Sequence, residues 1–266
     1  MTLLSPTPKI KVEVADHVAR VRIENAPRRN AFDYEMWRAL PVVIGALDAS
    51  DNVRVIVLGA ATGLSFCSGA DISEFSTVRA TAEGGRAYEE ANLAAFDALA
   101  QAAKPTIAAI GGFCMGGGAG LAASCDLRIA REDAVFSIPA GRLGVGYPPK
   151  AMAYVTTALG AQTAMELFFT ARRLGAREAL ERGFVAQLLP SDGFDEAVAA
   201  LAATIAANAP LTLRAAKAAI RAAIGAPGAP SGEDCAALAA ACFDSADFVE
   251  GRAAFLEKRE PKFSGR

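Results

Sequence analysis

The chain has 266 residues, of which 53% are hydrophobic and 21% charged, a composition typical of a globular protein rather than a disordered one. A formal net charge of −2 disfavours a nucleic-acid-binding surface, and Gly, Pro or charged residues interrupt every apolar stretch well short of the ~20 residues that cross a bilayer. The five cysteines lack CxxC spacing, no cluster has the spacing of a metal site, and the N-terminus lacks a secretory signal. We therefore expect a cytoplasmic protein without bound metal, nucleic-acid partner or membrane partner.

The first half of the sequence alternates between strand and helix patterns. Residues 9–24 alternate polar and apolar around Asp16 and His17, which predicts a β-hairpin. Asp33 precedes apolar residues at helical spacing and is the predicted N-cap of a helix. The other predicted elements of this half are a buried strand (53–60), a loop (61–75), a helix (84–103), a second buried strand (106–113) and two short strands (126–130 and 134–138).

The second half is mostly helical by pattern. From residue 148 onward only 183–190 resembles a strand, and helices are predicted over 193–208, 210–224 and 233–256. Strand-helix alternation followed by a helical tail predicts an α/β core over residues 1–190 and a C-terminal helical region over 191–266, acting as one functional unit.

Three consecutive glycines, Gly116 to Gly118, lie between a predicted strand and a short apolar helix. Glycine allows a ligand to approach the backbone closely, and the first N–H groups of a helix have no intrahelical partner. Such a turn can stabilise an oxyanion without any charged side chain. No Gly-Lys-Ser/Thr follows, so this is not a phosphate-binding loop of that type. The alternative interpretation is close packing of the helix on the sheet.

A second small-residue turn, "FCSGADISEF" (66–75), also follows a buried strand. The segments "SGAD" and "KPTIAAIGGFCMGGG…CDLRIA" together resemble the crotonase, or enoyl-CoA hydratase/isomerase, superfamily. "RRNAF", "FTARRLGAREALERGFVAQLLP" and "FLEKREPKF" extend the resemblance over most of the chain. This combination of segments, in this order, is specific to the superfamily but not to one reaction within it.

The resemblance implies an α/β protein with the crotonase (ClpP-like) fold, in which stacked ββα units form a spiral core and a C-terminal helical region supports trimerisation. It implies a homotrimer or a dimer of trimers. It also implies an acyl-CoA substrate, with coenzyme A as part of the substrate and no separate cofactor, in fatty-acid or related acyl-CoA catabolism.

The resemblance further implies an oxyanion hole formed by the backbone N–H groups of Ala70 and Gly117, which would polarise a thioester carbonyl and stabilise its enolate. It implies substrate contacts at three parts of CoA: the arm, the phosphates and the adenine end. The segment Ala70, Asp71, Ile72 and Ser73 would lie along the CoA arm, Arg28 and Arg29 would approach the CoA phosphates, and Phe255, Lys258 and Phe263 would touch the adenine end. The other residues predicted to bind substrate are Ala31, Gly116, Gly117, Ala140 and Arg142.

The sequence departs from the family at both hydratase carboxylates. The first glutamate of the family, in a "GGGxE" pattern, corresponds to Gly120 here, and the second, in an "FxxPE" pattern, corresponds to Ala140. General acid–base catalysis contributes about 10²–10⁴-fold per well-placed group. The sequence therefore disfavours standard two-glutamate hydration, although an enolate-stabilising hole is predicted to remain.

Tyr147, in "RLGVGYPP", is the best remaining candidate for a catalytic side chain. The stretch resembles the corresponding loop of methylmalonyl-CoA decarboxylases, in which a tyrosine holds the substrate carboxylate. Those decarboxylases carry a histidine at the position of Ala70 and an acid at that of Gly120, and both are missing here. The alternative is that Tyr147 packs at a loop-helix junction.

Three further charged residues have competing interpretations. Arg142 is either an acyl-carboxylate ligand or a surface or subunit-interface residue. Asp71 is expected to cap the turn that follows it. Glu74 is a candidate catalytic carboxylate that could reach the cavity, or else a charge at a helix N-terminus.

Nucleophilic catalysis is not expected. His17, the one histidine of the sequence, lies in the early hairpin, and Cys67 and Cys114 have no nearby histidine to activate them. A non-enzymatic alternative remains open, in which the chain is an acyl-CoA-binding paralogue that has lost catalysis. The two hypotheses differ in whether a titratable side chain lies at the thioester position.

Overall fold

The computed structural model describes residues 5–62 and 65–266. The described strands are β1 (Ile10–Ala15), β2 (Val18–Ile23), β3 (Val55–Ala60), β4 (Ser65–Cys67), β5 (Thr106–Ile110), β6 (Phe113–Met115), β7 (Leu127–Arg131), β8 (Val135–Ser137), β9 (Leu174–Gly175) and β10 (Gln187–Leu189). The described helices are α1 (Tyr34–Asp48), α2 (Phe75–Val78), α3 (Ala82–Gln101), α4 (Gly117–Ser124), α5 (Ala140–Leu143), α6 (Pro149–Leu159), α7 (Ala161–Thr170), α8 (Ala176–Glu181), α9 (Phe194–Ala207), α10 (Pro210–Ala223), α11 (Gly232–Phe243) and α12 (Ala246–Glu257).

Six strands form the main sheet in the order β1-β2-β3-β5-β7-β10. The β1–β2 hairpin is antiparallel, and the other neighbouring pairs are parallel. β3 (VIVLGA) and β5 (TIAAI) are almost continuously apolar because helices cover both faces of a parallel sheet.

A second, smaller sheet has the order β4-β6-β8-β9. Three times the chain leaves a strand of the main sheet, adds a short strand to the small sheet and continues into a helix: β3–β4–α2, β5–β6–α4 and β7–β8–α5. This repeated ββα unit confirms the predicted α/β crotonase fold.

Three sequence predictions need correction. The predicted loop over 61–75 contains β4, a strand too short to give a periodic signal; residues 63–64 of that loop lie outside the described residues. The predicted helix over 233–256 is two helices, because Ser245 caps a new one by accepting the Phe248 N–H at 3.0 Å. The predicted strand over 183–190 is reduced to β10.

No single helix within residues 5–62 and 65–266 is long and apolar enough to span a membrane. The pair α9 and α10 meets the length and composition criteria only jointly, across a bend of 102°.

Helix α4 is apolar on all sides because it lies between the two sheets and the α3 and α6 helices; all its residues from Gly118 to Ser124 are buried. Its packing on β4 leaves no room for a side chain at Gly118, where a Cβ would lie 2.4 Å from the Cys67 carbonyl oxygen and 2.8 Å from the Cys67 Cβ. The glycine run therefore has a packing function at its third residue.

Gly118→Ala is expected to lower the free energy of unfolding by about 1–3 kcal/mol, because a backbone oxygen cannot move aside as a flexible side chain can. Urea unfolding of the purified protein measures this change. The matched control is Gly45→Ala in α1, where a Cβ meets nothing within 4 Å. There alanine is expected to stabilise the helix by about 0.5–1 kcal/mol. Equal effects at the two positions would contradict the packing argument.

Candidate active site

The turn after β4 holds the backbone of Ala70 in place without using its N–H. Gly69, at φ 100°, reverses the chain, and its carbonyl accepts the Phe32 N–H at 2.8 Å. The Asp71 N–H donates to the Phe32 carbonyl at 2.8 Å. These two bonds fix the residues on either side of Ala70, whose own N–H has no acceptor among the residues that the structure describes.

The turn before α4 presents a second free donor. Gly116, at φ 52°, donates its N–H to the Ser137 carbonyl at 2.8 Å, and Gly117 is the first residue of the helix. The Gly117 N–H has no acceptor in the described part of the chain, as expected for a helix N-terminus. A Cβ placed on Gly117 would lie 3.8 Å from the Ala70 nitrogen, so the two donors are neighbours.

Both donors border a cavity of about 150 Å³ between the two turns, α3 and the 140–151 segment. Its wall is largely apolar and aromatic. The described lining residues are Ser68, Gly69, Ala70, Ile72, Phe75, Arg79, Tyr88, Glu89, Asn92, Leu93, Phe96, Gly116, Gly117, Pro139, Ala140, Leu143, Val145, Gly146, Tyr147, Pro148 and Ala151.

The position of the first missing glutamate is filled by an aromatic ring. A Cβ at Gly120 would lie 2.5 Å from Phe96 Cζ. Phe96 is almost fully buried and packs edge-to-face on Trp37, with ring centroids 5.9 Å apart. Gly120 is therefore not an empty place for a carboxylate, since the Phe96 ring from α3 occupies the adjoining space.

The position of the second missing glutamate, Ala140, lines the cavity as a buried methyl group. Among the described residues of the lining, Glu89 on α3 is the one carboxylate. Neither glutamate position of the family thus carries a carboxylate at the cavity, and Glu89 comes from a different element of the fold.

Tyr147 reaches the cavity next to the glycine turn. Its hydroxyl lies 3.8 Å from the place where a Gly116 Cβ would be, and its ring packs edge-to-face on Phe168 at 5.0 Å. Burial raises the pKa of Tyr147 to about 12, although the charge of Arg79 acts in the opposite direction. The phenol is therefore protonated at neutral pH and can donate a hydrogen bond but cannot act as a base.

Arg79, which the sequence analysis did not single out, contributes a cation to the cavity wall. Its guanidinium lies 4.6 Å from the ring centroids of both Phe75 and Tyr88. No motif marks this residue, because it lies in the turn between α2 and α3. The only sequence feature that could have indicated Arg79 is the presence of two aromatic residues, Phe75 and Tyr88, on either side of it in the chain.

The two acidic side chains that follow Ala70 in the chain, Asp71 and Glu74, make local hydrogen bonds and do not line the cavity. The Glu74 carboxylate accepts the Tyr34 N–H at 2.8 Å, at the start of α1, and Glu74 is not among the cavity-lining residues. Asp71 caps the next turn, as predicted, by accepting the N–H of Ser73 at 2.9 Å and its hydroxyl at 2.7 Å. Burial acts to raise the pKa of Asp71, but the hydrogen bonds from Ser73 and the charge of Arg28 outweigh it and lower the pKa.

The other predicted substrate contacts are dispersed. Ile72 joins the cavity lining, whereas Arg29 and Arg142 line a neighbouring cavity that shares Ser68 and Pro139 with the first. The remaining predicted contacts do not line the main cavity: Arg28, Ala31, Asp71, Ser73, Phe255, Lys258 and Phe263. Phe255 and Lys258 are exposed at the end of α12, and the Phe263 carbonyl accepts a hydrogen bond from Arg54 at 2.7 Å.

The cysteines and the histidine do not form a nucleophilic site. Cys67 and Cys114 are fully buried, and burial raises the pKa of each thiol, that of Cys67 to about 12. His17 is exposed in the hairpin, with its Nδ1 3.2 Å from the Asn52 carbonyl oxygen. The thiols are thus packing groups at neutral pH.

Stacked ββα units that place two free backbone N–H groups at an apolar cavity define a crotonase-type protein. The family model described as enoyl-CoA hydratase/isomerase matches residues 13–266, and the chain belongs to this family.

Two curated relatives illustrate its range. The short-chain-enoyl-CoA hydratase of Clostridium acetobutylicum is 32% identical over 94% of this chain and 95% of its own. The peroxisomal Delta(3,5)-Delta(2,4)-dienoyl-CoA isomerase of Arabidopsis thaliana is 30% identical over 96% and 95%.

The solved structures agree on the fold. An enoyl-CoA hydratase/carnithine racemase from Magnetospirillum magneticum superposes with a TM-score of 0.92 at 34% identity, covering 98% of this chain and 97% of that one. The similarity to relatives named for different reactions fixes the family but not the reaction of this chain.

Proposed function

We propose that the protein is an acyl-CoA enzyme of the lyase or isomerase type that binds a thioester carbonyl between the N–H groups of Ala70 and Gly117 and stabilises the enolate derived from it. The observation that carries the proposal is that these two adjacent donors border an apolar cavity and have no acceptor among the described residues. Preorganised donors in a cavity that excludes water are most effective where negative charge develops.

Standard two-glutamate hydration is disfavoured by the same geometry. Hydration of an enoyl-CoA needs one group to deprotonate water and another to protonate the α carbon. Phe96 fills the space at Gly120, and Ala140 offers only a methyl group. Glu89 alone lines the cavity as a carboxylate in the described chain and cannot replace a pair of carboxylates on its own.

Decarboxylation of a malonyl-CoA-type thioester is the second candidate, and the protonated Tyr147 phenol beside Gly116 favours it. In this reaction the bond from the α carbon to the carboxylate breaks, carbon dioxide leaves, and the electron pair forms the thioester enolate. One proton from water then adds to the α carbon. The residues required are an enolate-stabilising hole and a hydrogen-bond donor that orients the carboxylate, and Tyr147 is placed to be that donor.

An assay with crotonyl-CoA tests hydration, and a parallel assay tests decarboxylation. We expect the protein to bind crotonyl-CoA but to hydrate it at least about 10²-fold more slowly than a two-glutamate relative, because the acid–base pair is missing. The loss of the conjugated enoyl absorbance measures this rate. A parallel incubation with methylmalonyl-CoA, followed by carbon dioxide release, measures decarboxylation. Fast hydration would contradict the interpretation of Gly120 and Ala140. Binding of both thioesters without any turnover would favour the inactive acyl-CoA-binding paralogue.

We further propose that the protein assembles as a homotrimer or a dimer of trimers in the cytoplasm. The support is the family resemblance together with large apolar side chains that remain exposed on the C-terminal helices, among them Phe243, Phe255 and Leu256. Such side chains are usually covered by another subunit.

A further inference from the structure

Arg79 is held in an unusual position for a surface arginine. Its guanidinium packs against the edge-to-face pair of Phe75 and Tyr88, 4.6 Å from each ring centroid, and 16% of its side chain is exposed. The two rings attract the cation and shield most of its surface from water. The side-chain ordering that ligand binding normally requires has therefore already taken place in the free protein.

The donors of Arg79 are not used by the protein. The structure shows no hydrogen bond from Arg79 to any described residue, although a guanidinium carries five N–H donors. The nearest carboxylate is that of Glu89, whose Oε1 lies 3.6 Å from Arg79 Nη2, beyond good hydrogen-bond distance. Glu89 has 43% of its side chain exposed, so water screens this pair strongly.

Several polar groups of the same cavity are hydrogen-bond donors, whereas Glu89 and Asn92 contribute acceptor oxygens to its lining. The Tyr147 hydroxyl has no hydrogen-bond partner in the described chain, and the Ala70 and Gly117 N–H groups face the same cavity. Most of the remaining lining is apolar. A cavity with a cation and several free donors, beside one partly exposed carboxylate at 3.6 Å, is complementary to a ligand that carries negatively charged oxygens, since a poorly solvated cation gains most from a direct charged partner.

We propose that Arg79 is a specificity-determining residue that binds a carboxylate on the acyl group of the substrate, so that the protein prefers carboxylated acyl-CoA thioesters over neutral ones of the same length. This inference rests on the proposed function, because it places the thioester carbonyl at Ala70 and Gly117. The apolar lining would accommodate the carbon chain between the two ends. A phosphate of the CoA portion offers the same oxygen chemistry, and the experiment distinguishes the two sources.

The test is equilibrium binding, by calorimetry, of two matched pairs of thioesters in which a terminal carboxylate replaces a methyl group: butyryl-CoA against succinyl-CoA and valeryl-CoA against glutaryl-CoA. Free CoA is the fifth ligand. We expect the wild-type protein to bind at least one carboxylated member about tenfold or more tightly than its neutral partner, as charge-assisted hydrogen bonds do. Arg79→Met is expected to abolish this preference while changing butyryl-CoA and free CoA affinity by less than about threefold.

Two variants keep the test specific. Arg79→Lys retains the charge but not the planar fork, so it should keep part of the preference. Arg86→Met removes an exposed arginine of α3 that does not line the cavity, and should leave the preference unchanged. Equal binding of the two members of both thioester pairs by the wild type, or equal weakening of all five ligands by Arg79→Met, would overturn the assignment. If no thioester binds more tightly than free CoA, the proposed function itself fails.

Discussion

Gly120→Glu is expected to lower the free energy of unfolding by about 3 kcal/mol or more and to confer no hydratase activity. The new Cβ would lie 2.5 Å from the Phe96 ring, and the carboxylate would enter an aromatic environment without a partner. Urea unfolding measures this decrease in the free energy of unfolding.

Phe96→Ala alone should lower the free energy of unfolding by about 3–5 kcal/mol, because it leaves a cavity. Because each change relieves the other, the double variant should lose less than the sum of the two.

Adding Ala140→Glu to that double variant restores both carboxylates of the family pattern. If the hole at Ala70 and Gly117 is intact, the triple variant should hydrate crotonyl-CoA about 10²-fold or more faster than the wild-type protein. The matched control carries glutamine at both positions together with Phe96→Ala, which reproduces the shape without the acid. A glutamine variant as fast as the glutamate variant would show that space, not acid–base chemistry, limits hydration. A folded triple variant without any gain would contradict the interpretation of the hole.

The fold could be predicted from the sequence where the local signals were strong. The apolar runs of β3 and β5 and the Asp33 N-cap, which accepts the Met36 N–H at 2.8 Å, are signals that lie within one element. The short strand β4 was missed because three residues carry no periodicity, and its pairing depends on β6 being in place. The division between α11 and α12 was missed because the helical pattern continues across the Ser245 cap.

Only the backbone donors of the candidate site could be predicted from the sequence. The glycine run and the "SGAD" turn predict the two backbone donors of the proposed hole, because only glycine readily permits φ 100° at Gly69 and the close approach at Gly118. The side chains of the cavity come together through tertiary packing. Phe96 contacts Gly120 from another helix, and Arg79 and Tyr147 line the same cavity from distant parts of the chain, so their spacing along the sequence predicts neither pair.

Ala70→Pro is expected to abolish the preference of the protein for a thioester over the matching thioether and to lower turnover of its substrate by about 10²–10³-fold. Proline removes the Ala70 N–H but leaves intact the bonds from Phe32 to Gly69 and from Asp71 to Phe32, so the turn should persist. Binding of butyryl-CoA and of its S-butyl-CoA thioether, which lacks the carbonyl, measures the hole directly. The wild type should favour the thioester by up to about tenfold, as one or two hydrogen bonds allow.

Ala70→Gly is the control for this loss, because it removes the methyl group but keeps the N–H. It should retain the thioester preference and most of the turnover. Circular dichroism and urea unfolding of both variants establish that the fold is preserved. If Ala70→Pro is folded and still distinguishes the thioester from the thioether as well as the wild type does, the Ala70 N–H does not hold the carbonyl. The enolate would then have to be stabilised by the Gly117 N–H and the Tyr147 hydroxyl, the other free donors beside the glycine turn.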